Sequence, residues 1–146
     1  MEENIINLNK FLSELEIMSV KLQNYHWNVQ GHNFFIIHSK LEEFYDEIRE
    51  QIDEIAEHIL AKGHEPLGTM KDFISNSEIV EAKNEKIKSE ELLKIVTQDF
   101  NTLYKKAVEI KKSAEKVEDY ETSALIDDYL RDYSKKLWML NEVTKN

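Results

Sequence analysis

The chain contains no cysteine, a single proline and only three glycines in 146 residues. Without cysteine there are no disulfides and no thiolate ligands, which suits a reducing compartment and makes the cytoplasm the expected location. So few glycines and prolines exclude a turn-rich all-β protein. Long apolar runs are missing too, and the opening MEENIINLNKFLSELEIM has neither a basic start nor an apolar centre. Neither a signal peptide nor a membrane span is expected. Basic residues are scarce: 19 Lys and Arg face 29 Asp and Glu, for a formal net charge of -10. This balance opposes attraction to phosphate backbones and anionic lipid, so direct DNA binding is not expected.

What the chain has instead is Leu, Ile, Ala, Glu and Lys at helical spacing, over a length suited to one domain, residues 1–146. Leu8, Phe11, Leu15, Met18, Leu22, Tyr25 and Val29 recur in steps of three and four, one face of a long first helix that Gly31 stops. Asn33 is expected to cap a second helix whose core stripe is Phe34, Ile37, Leu41, Tyr45, Ile48, Ile52, Ile55 and Ile59, with Gly63 as terminator. Thr69 caps a short helix over residues 70–74, and the charged run from Ser75 to Lys88 reads as an exposed crossover. Ser89 restarts order. Leu92, Val96, Phe100, Leu103, Ala107, Ile110, Ala114 and Val117 mark a third long helix. After a break at 118–121, Ile126, Leu130, Tyr133, Leu137 and Leu140 mark a fourth, with Trp138 beside the stripe. The expected fold is all-α: a ferritin-like four-helix bundle with a short helix in the long crossover between the second and third helices.

The chemistry lies in HWNVQGHNFFIIHSKLEEFYDEIREQIDEIAE, residues 26–57. At about 100° per residue from His38, the apolar stripe centres near about -60°, and Glu42, Asp53 and Glu57 fall at roughly +40°, +60° and +100°. Asp46 and Arg49 share that edge, at roughly +80° and +20°. His38 with Glu42, and Asp53 with Glu57, are i,i+4 pairs, each able to converge on one ion. The rise of a helix separates His38 from Asp53 by ~22 Å, too far for one metal. Two antiparallel copies about a two-fold axis would set the His38 end of one against the Asp53 end of the other, making two identical sites. His26 lies across the short loop and joins His38. The expected ligand set is therefore His26, His38 and Glu42 from one subunit with Asp53 and Glu57 from its neighbour.

Imidazole and carboxylate donors without sulfur suit iron (Fe2+/Fe3+) or manganese, with zinc as a competitor. Glu-x-x-His, the repeat that builds di-metal centres inside single ferritin-like bundles, occurs nowhere in this chain, which argues against a centre within one subunit.

At this point the stretch resembles the Dps family, the mini-ferritins named for DNA protection during starvation. The resemblance rests on His26-Trp27-Asn28-Val29, Gly31, Phe34, His38 and Asp53-x-x-Ala56-Glu57, and on the helical pattern of nearly the whole chain. It implies a homo-oligomer, a dodecameric shell with iron sites at two-fold interfaces, in which His26, His38, Asp53 and Glu57 are catalytic ligands. Glu42 stands where Asp is common in the family. The implied reaction is oxidation of Fe(II) to Fe(III), preferably by hydrogen peroxide, followed by storage of ferric mineral. Trp27 adjoins His26 and is placed to cover the site. The basic tails by which some members hold DNA have no counterpart, since Lys10 is the only basic residue before Lys21 and the chain ends NEVTKN.

Blander readings stand beside these. Taken singly, His26 and His38 fit structural roles, and Asp53 and Glu57 fit a solvated helix edge on which Arg49 pairs at i,i+4. Their joint spacing favours ligands. His32, His58 and His64 complete no second set and receive no role, while Trp27, Tyr45 and Trp138 are expected mainly to pack. Glu121, Asp127 and Asp128 are candidates for a pore lining. The competing functions are a non-catalytic helical interaction protein and a DNA-coating shell without important ferroxidase activity.

Overall fold

The computed structural model describes residues 2–145. The elements run α1 (Glu2–Asn28), β1 (Val29–Gln30), α2 (Phe34–Ala61), α3 (Met70–Asn76), β2 (Ile87–Lys88), α4 (Ser89–Lys116) and α5 (Tyr120–Thr144). The expected all-α, ferritin-like bundle with a short helix in its crossover is the observed architecture. Each long helix has 25 to 28 residues and so measures about 40 Å.

The apolar stripes become the core. On α4, Leu92, Val96, Phe100, Leu103, Ala107, Ile110 and Ala114 are all buried, and on α2 the stripe from Ile37 to Ile59 follows suit, with Phe34 and Ile52 half-buried. α1 is covered on most sides because α2, α4 and α3 all pack on it. Phe11, Phe100, Tyr129 and Tyr133 form an aromatic centre, with Phe11 and Tyr129 stacked at 6.1 Å and Phe100 and Tyr133 at 6.0 Å between ring centroids. The Tyr133 hydroxyl donates to Gln51 Oε1 at 2.6 Å and that of Tyr129 donates to Glu54, so α5 is tied to α2 through its aromatic face.

Two residues of sheet fix the direction of the chain. Val29 and Gln30 pair in parallel with Ile87 and Lys88, so the end of α1 and the start of α4 lie at the same end of the bundle. α2 and α4 therefore run the same way, and the crossover from Gly63 to Ile87 has to travel the length of the molecule. This ladder was not legible in the charged crossover, nor was the burial of Phe73 and Ile79, which anchor it.

Other expectations are corrected in detail. α1 begins at Glu2, well before Leu8, and Val29 leaves the helix for the ladder. Asn33 precedes α2 in the left-handed region, φ 59, without a side-chain cap, a conformation Asn tolerates; its carbonyl accepts the first helical bond from Ile37. Thr69 does cap α3, accepting from Asp72 N, but the helix extends to Asn76. Val117 lies past the end of α4 and is exposed, and on α5 Tyr129 and Lys136 are buried while Leu130 and Leu137 are only half-buried. Trp27 and Trp138, expected to pack, are 63% and 61% exposed. Both lie off the apolar stripe: their neighbours at i±3 and i±4 are Gln23, Asn24, Gln30 and Gly31 for Trp27, and Ser134, Lys135, Asn141 and Glu142 for Trp138.

Glu14 is the oddity of the interior. It is fully buried, and neither carboxylate oxygen accepts a hydrogen bond. Burial pushes its pKa up to about 7, against the pull of Lys106 and with the support of Glu78.

Candidate metal centre

α1 ends and α2 begins across a five-residue connection, and this brings His26 and His38 face to face. Their rings stack at 3.8 Å with planes 7° apart. His26 Nδ1 donates to the His38 carbonyl at 2.6 Å, and His38 Nδ1 donates to the His26 carbonyl at 2.7 Å. A carbonyl only accepts, so each Nδ1 carries a proton, and in the neutral tautomer that this selects Nε2 presents its lone pair. This is the arrangement that orients a metal-binding imidazole and fixes its tautomer.

Further contacts complete the mounting. Phe34, one turn before His38, stacks on its outer face at 5.1 Å, and Tyr45 meets the edge of His26 at 5.6 Å. The Tyr45 hydroxyl donates to Glu42 Oε1 at 3.3 Å, and the same oxygen lies 4.0 Å from His26 Nε2. An ion bonded at about 2.1 Å to each can touch both. Burial, then the neighbouring Glu42 carboxylate, pushes the Tyr45 pKa up, so its phenol stays a proton donor. Arg49 sits over the Tyr45 ring at 4.4 Å.

Asp53 and Glu57 lie on the same helix, exposed, further along its axis. The structure thus sets His26 against His38, brings Glu42 within 4.0 Å of His26 Nε2, and leaves Asp53 and Glu57 apart. Among the described residues, no group of three or more His, Asp or Glu side chains is gathered to hold a metal. The separation of the two half-sites is what the helix rise requires.

A ferritin-like domain model matches residues 5–146. The DNA protection during starvation protein 2 of Bacillus anthracis is 37% identical over 144 residues, covering 96% of either chain. The Helicobacter pylori DNA protection during starvation protein is 34% identical over 124 residues, 85% of this chain and 86% of that one. The chain belongs to the Dps family. Among solved structures, the Dps protein of Vibrio cholerae O1 superposes with a TM-score of 0.94 at 31% identity, over 99% of this chain and 90% of that one. That protein is described as a member of a broad superfamily of ferritin-like diiron-carboxylate proteins.

Several supporting residues of this Dps chain escaped the sequence reading. Phe34 with His38 and Tyr45 with Arg49 are i,i+4 pairs, and Glu42 with Tyr45 is i,i+3, so helical spacing carried the signal. The reciprocal carbonyl bonds carried none, since they depend on the angle between α1 and α2. His58, assigned no role, is half-buried and bonds the Thr122 hydroxyl at 2.7 Å. Thr122 in turn donates to Asp119, which also holds Asn4 and Lys62 and so ties the start of α1 and the α4–α5 connection to the α2 terminus. The pore candidates Glu121, Asp127 and Asp128 are each ion-paired, to Lys62, Lys111 and Arg131. Among the described residues, no helix is long and apolar enough to cross a membrane.

Proposed function

We propose that this protein is a ferroxidase subunit of an iron-storing shell, oxidising Fe(II) to Fe(III) at sites shared between two copies. The observation that carries this reading is the reciprocal His26–His38 lock, which presents two Nε2 atoms near Glu42, while among the described residues no three His, Asp or Glu side chains of the chain gather into a complete site. Asp53 and Glu57 from the second copy supply the hard oxygen donors that favour iron as it becomes ferric. Zinc competes for the same nitrogen and oxygen donors.

Hydrogen peroxide is the proposed oxidant. Two Fe(II) ions each give up one electron, one peroxide takes both with two protons, and two waters leave, so no hydroxyl radical is released. Within the chain, the Nδ1 bonds fix the tautomer and aim of the imidazoles, and Tyr45 steadies Glu42. The assembly is a dodecamer in the cytoplasm, with ferric mineral in its cavity. Protection of DNA then follows from removal of iron and peroxide; the net charge of -10 does not favour coating of the duplex.

Anaerobic loading of the purified protein with Fe(II), followed by peroxide, tests the reading. Oxidation is expected to be fast in the unmodified chain and at least about 100-fold slower in His26→Ala/His38→Ala. An unchanged rate in that variant rejects the site.

A further inference from the structure

Polar rungs cross the face where α1 packs on α4. The end of α1 lies beside the start of α4, so the two helices run in opposite directions. Asn7 Nδ2 donates to Ser113 Oγ at 3.1 Å, and Lys21 Nζ meets Asp99 Oδ2 at 2.7 Å. In both pairs the residue numbers add to the same total, as a fixed antiparallel register requires, and the pairs stand about 21 Å apart along the axis. Midway between them, two turns from each, the same register sets Glu14 of α1 opposite Lys106 of α4.

That middle rung is open. Glu14 is fully buried and neither carboxylate oxygen accepts a hydrogen bond, while Lys106 Nζ donates instead to Glu78 Oε1 at 2.9 Å. Glu78 belongs to the crossover, and among the described residues this is the one ion pair that joins segment 63–88 to the helices. The crossover is otherwise pinned near its start by the bond from Leu67 N to Asn9, at its end by the β1–β2 ladder, and between them by Phe73 and Ile79 in the core and the Asn24–Asn84 contact. Glu14 is faced by Lys106 and Glu109 from α4, by Glu78 from the crossover and by Tyr133 from α5. α2 and α3 bring apolar side chains to the same core, Ile48 and Phe73 among them.

We infer that Lys106 is a two-position latch: while Glu14 holds a proton, Lys106 stays on Glu78 and the crossover is docked, and when Glu14 ionises, Lys106 crosses to close the middle rung and lets Glu78 go. A carboxylate without a partner in an apolar interior is strongly disfavoured, so ionisation demands a cation, and Lys106 is the one that faces it. The proton leaves to water. Lys106 keeps its charge throughout, because Glu78, Glu14 and Glu109 together outweigh its burial and raise its pKa. Burial sets the Glu14 carboxyl at about 7, which places the exchange in the neutral range, docked below and released above. The rung closes only as the crossover lets go, so ionisation still lowers the stability of the fold. The Asn7–Ser113 and Lys21–Asp99 rungs keep α1 and α4 in register in either position. None of Glu14, Glu78 and Lys106 is a proposed metal ligand, so the latch stands or falls apart from the ferroxidase reading.

Ile79 is buried and Val80 is 71% exposed, so the two report on the crossover from its inner and outer sides. Since the chain has no cysteine, Ile79→Cys and Val80→Cys each carry a single thiol, and the ratio of their maleimide labelling rates cancels the ordinary rise of thiolate with pH. From pH 6 to pH 8 this ratio, inner over outer, is expected to rise about ten-fold, following the loss of protonated Glu14. With Glu14→Gln added it is expected to stay low and flat. Glu78→Gln, at an exposed position, is expected to raise the ratio already at pH 6, because Lys106 is then free to cross. A rise that persists with Glu14→Gln, a flat ratio without it, or a Glu78→Gln ratio no higher than its parent's at pH 6 overturns the latch. Limited trypsin cleavage at Lys83 and Lys86 reads the same release in the unsubstituted chain, with each rate divided by that on a small peptide at the same pH. About a ten-fold increase from pH 6 to pH 8 is expected there, and equal cleavage at the two pH values overturns the inference.

Discussion

The two ends of α2 carry complementary halves of one chemistry and are built in opposite ways. At the N-terminal end, His38 is stacked between His26 and Phe34, bonded to a backbone carbonyl and accompanied by a Glu42 that Tyr45 steadies. At the other end, Asp53 and Glu57 stand exposed on a bare helix edge. Imidazole has to be held in one tautomer and one orientation to bind metal, and that takes neighbours. A carboxylate tolerates several binding geometries and can wait in water until a partner arrives, since an exposed charge has no desolvation cost to offset. Preorganisation is therefore invested in the nitrogen half, and assembly supplies the rest.

If the two ends are halves of the same site, removing the bare one should be as damaging as removing the built one. Asp53→Asn/Glu57→Gln is expected to slow peroxide-driven Fe(II) oxidation at least about 100-fold, read by stopped-flow absorbance. A normal rate would break the comparison at its root.

Varying pH to compare the ends requires that the core be kept still, and Glu14 is the group that moves it. Its carboxyl holds a proton more tightly folded, with a pKa of about 7, than unfolded, near 4.5. The stability this contributes is fully present below about pH 4.5 and is lost as pH rises through about 7, a loss of about 3 kcal/mol if the burial is maintained. Urea melts of Glu14→Gln between these pH values should lose that slope, leaving it more stable than the unmodified chain at pH 8. An identical slope in both proteins would show that the carboxyl finds a partner on ionisation.

The difference in construction also predicts a difference in stability. His26→Ala removes a buried ring, its stack and one hydrogen bond, at an expected cost of about 1–3 kcal/mol to the folded subunit. Asp53→Ala should stay within about 0.5 kcal/mol, because nothing in its own chain depends on it. Denaturant midpoints of the two variants, measured without metal, provide the check; equal losses would mean that the bare end is supported in some other way.

Mixing sharpens the comparison with the smallest effect. Chains carrying His26→Ala/His38→Ala and chains carrying Asp53→Ala/Glu57→Ala should each be inactive alone. Refolded together in equal amounts, they should recover about a quarter of the unmodified activity, since one random pairing in two restores one site of its two. No recovery would place all the ligands of a site in one chain.

Much of this was legible in the residues themselves. The stripes of α2 and α4 named their buried positions nearly one for one, because a 3.6-residue period leaves little choice of which side faces a core. The i,i+4 pairs and the helix rise separated the half-sites before any fold was considered. Trp27 and Trp138 are exposed, although their size suggests burial, because exposure follows the face of the helix and their i±3 and i±4 neighbours are polar residues or Gly. The Val29–Gln30 and Ile87–Lys88 ladder was missed because two residues of strand inside a polar crossover have no period to detect.

The sequence by itself determined a cysteine-free, acidic, all-α chain with ligand residues of the right type at two stations on one helix, since composition and spacing are properties of the chain alone. Only the tertiary structure decided that His26 and His38 lock each other through their own backbone carbonyls. It also decided that Tyr45 reaches Glu42 and that β2, at the end of the crossover, returns to the α1–α2 connection. These features depend on the angle and distance between elements, which packing sets and no local pattern encodes.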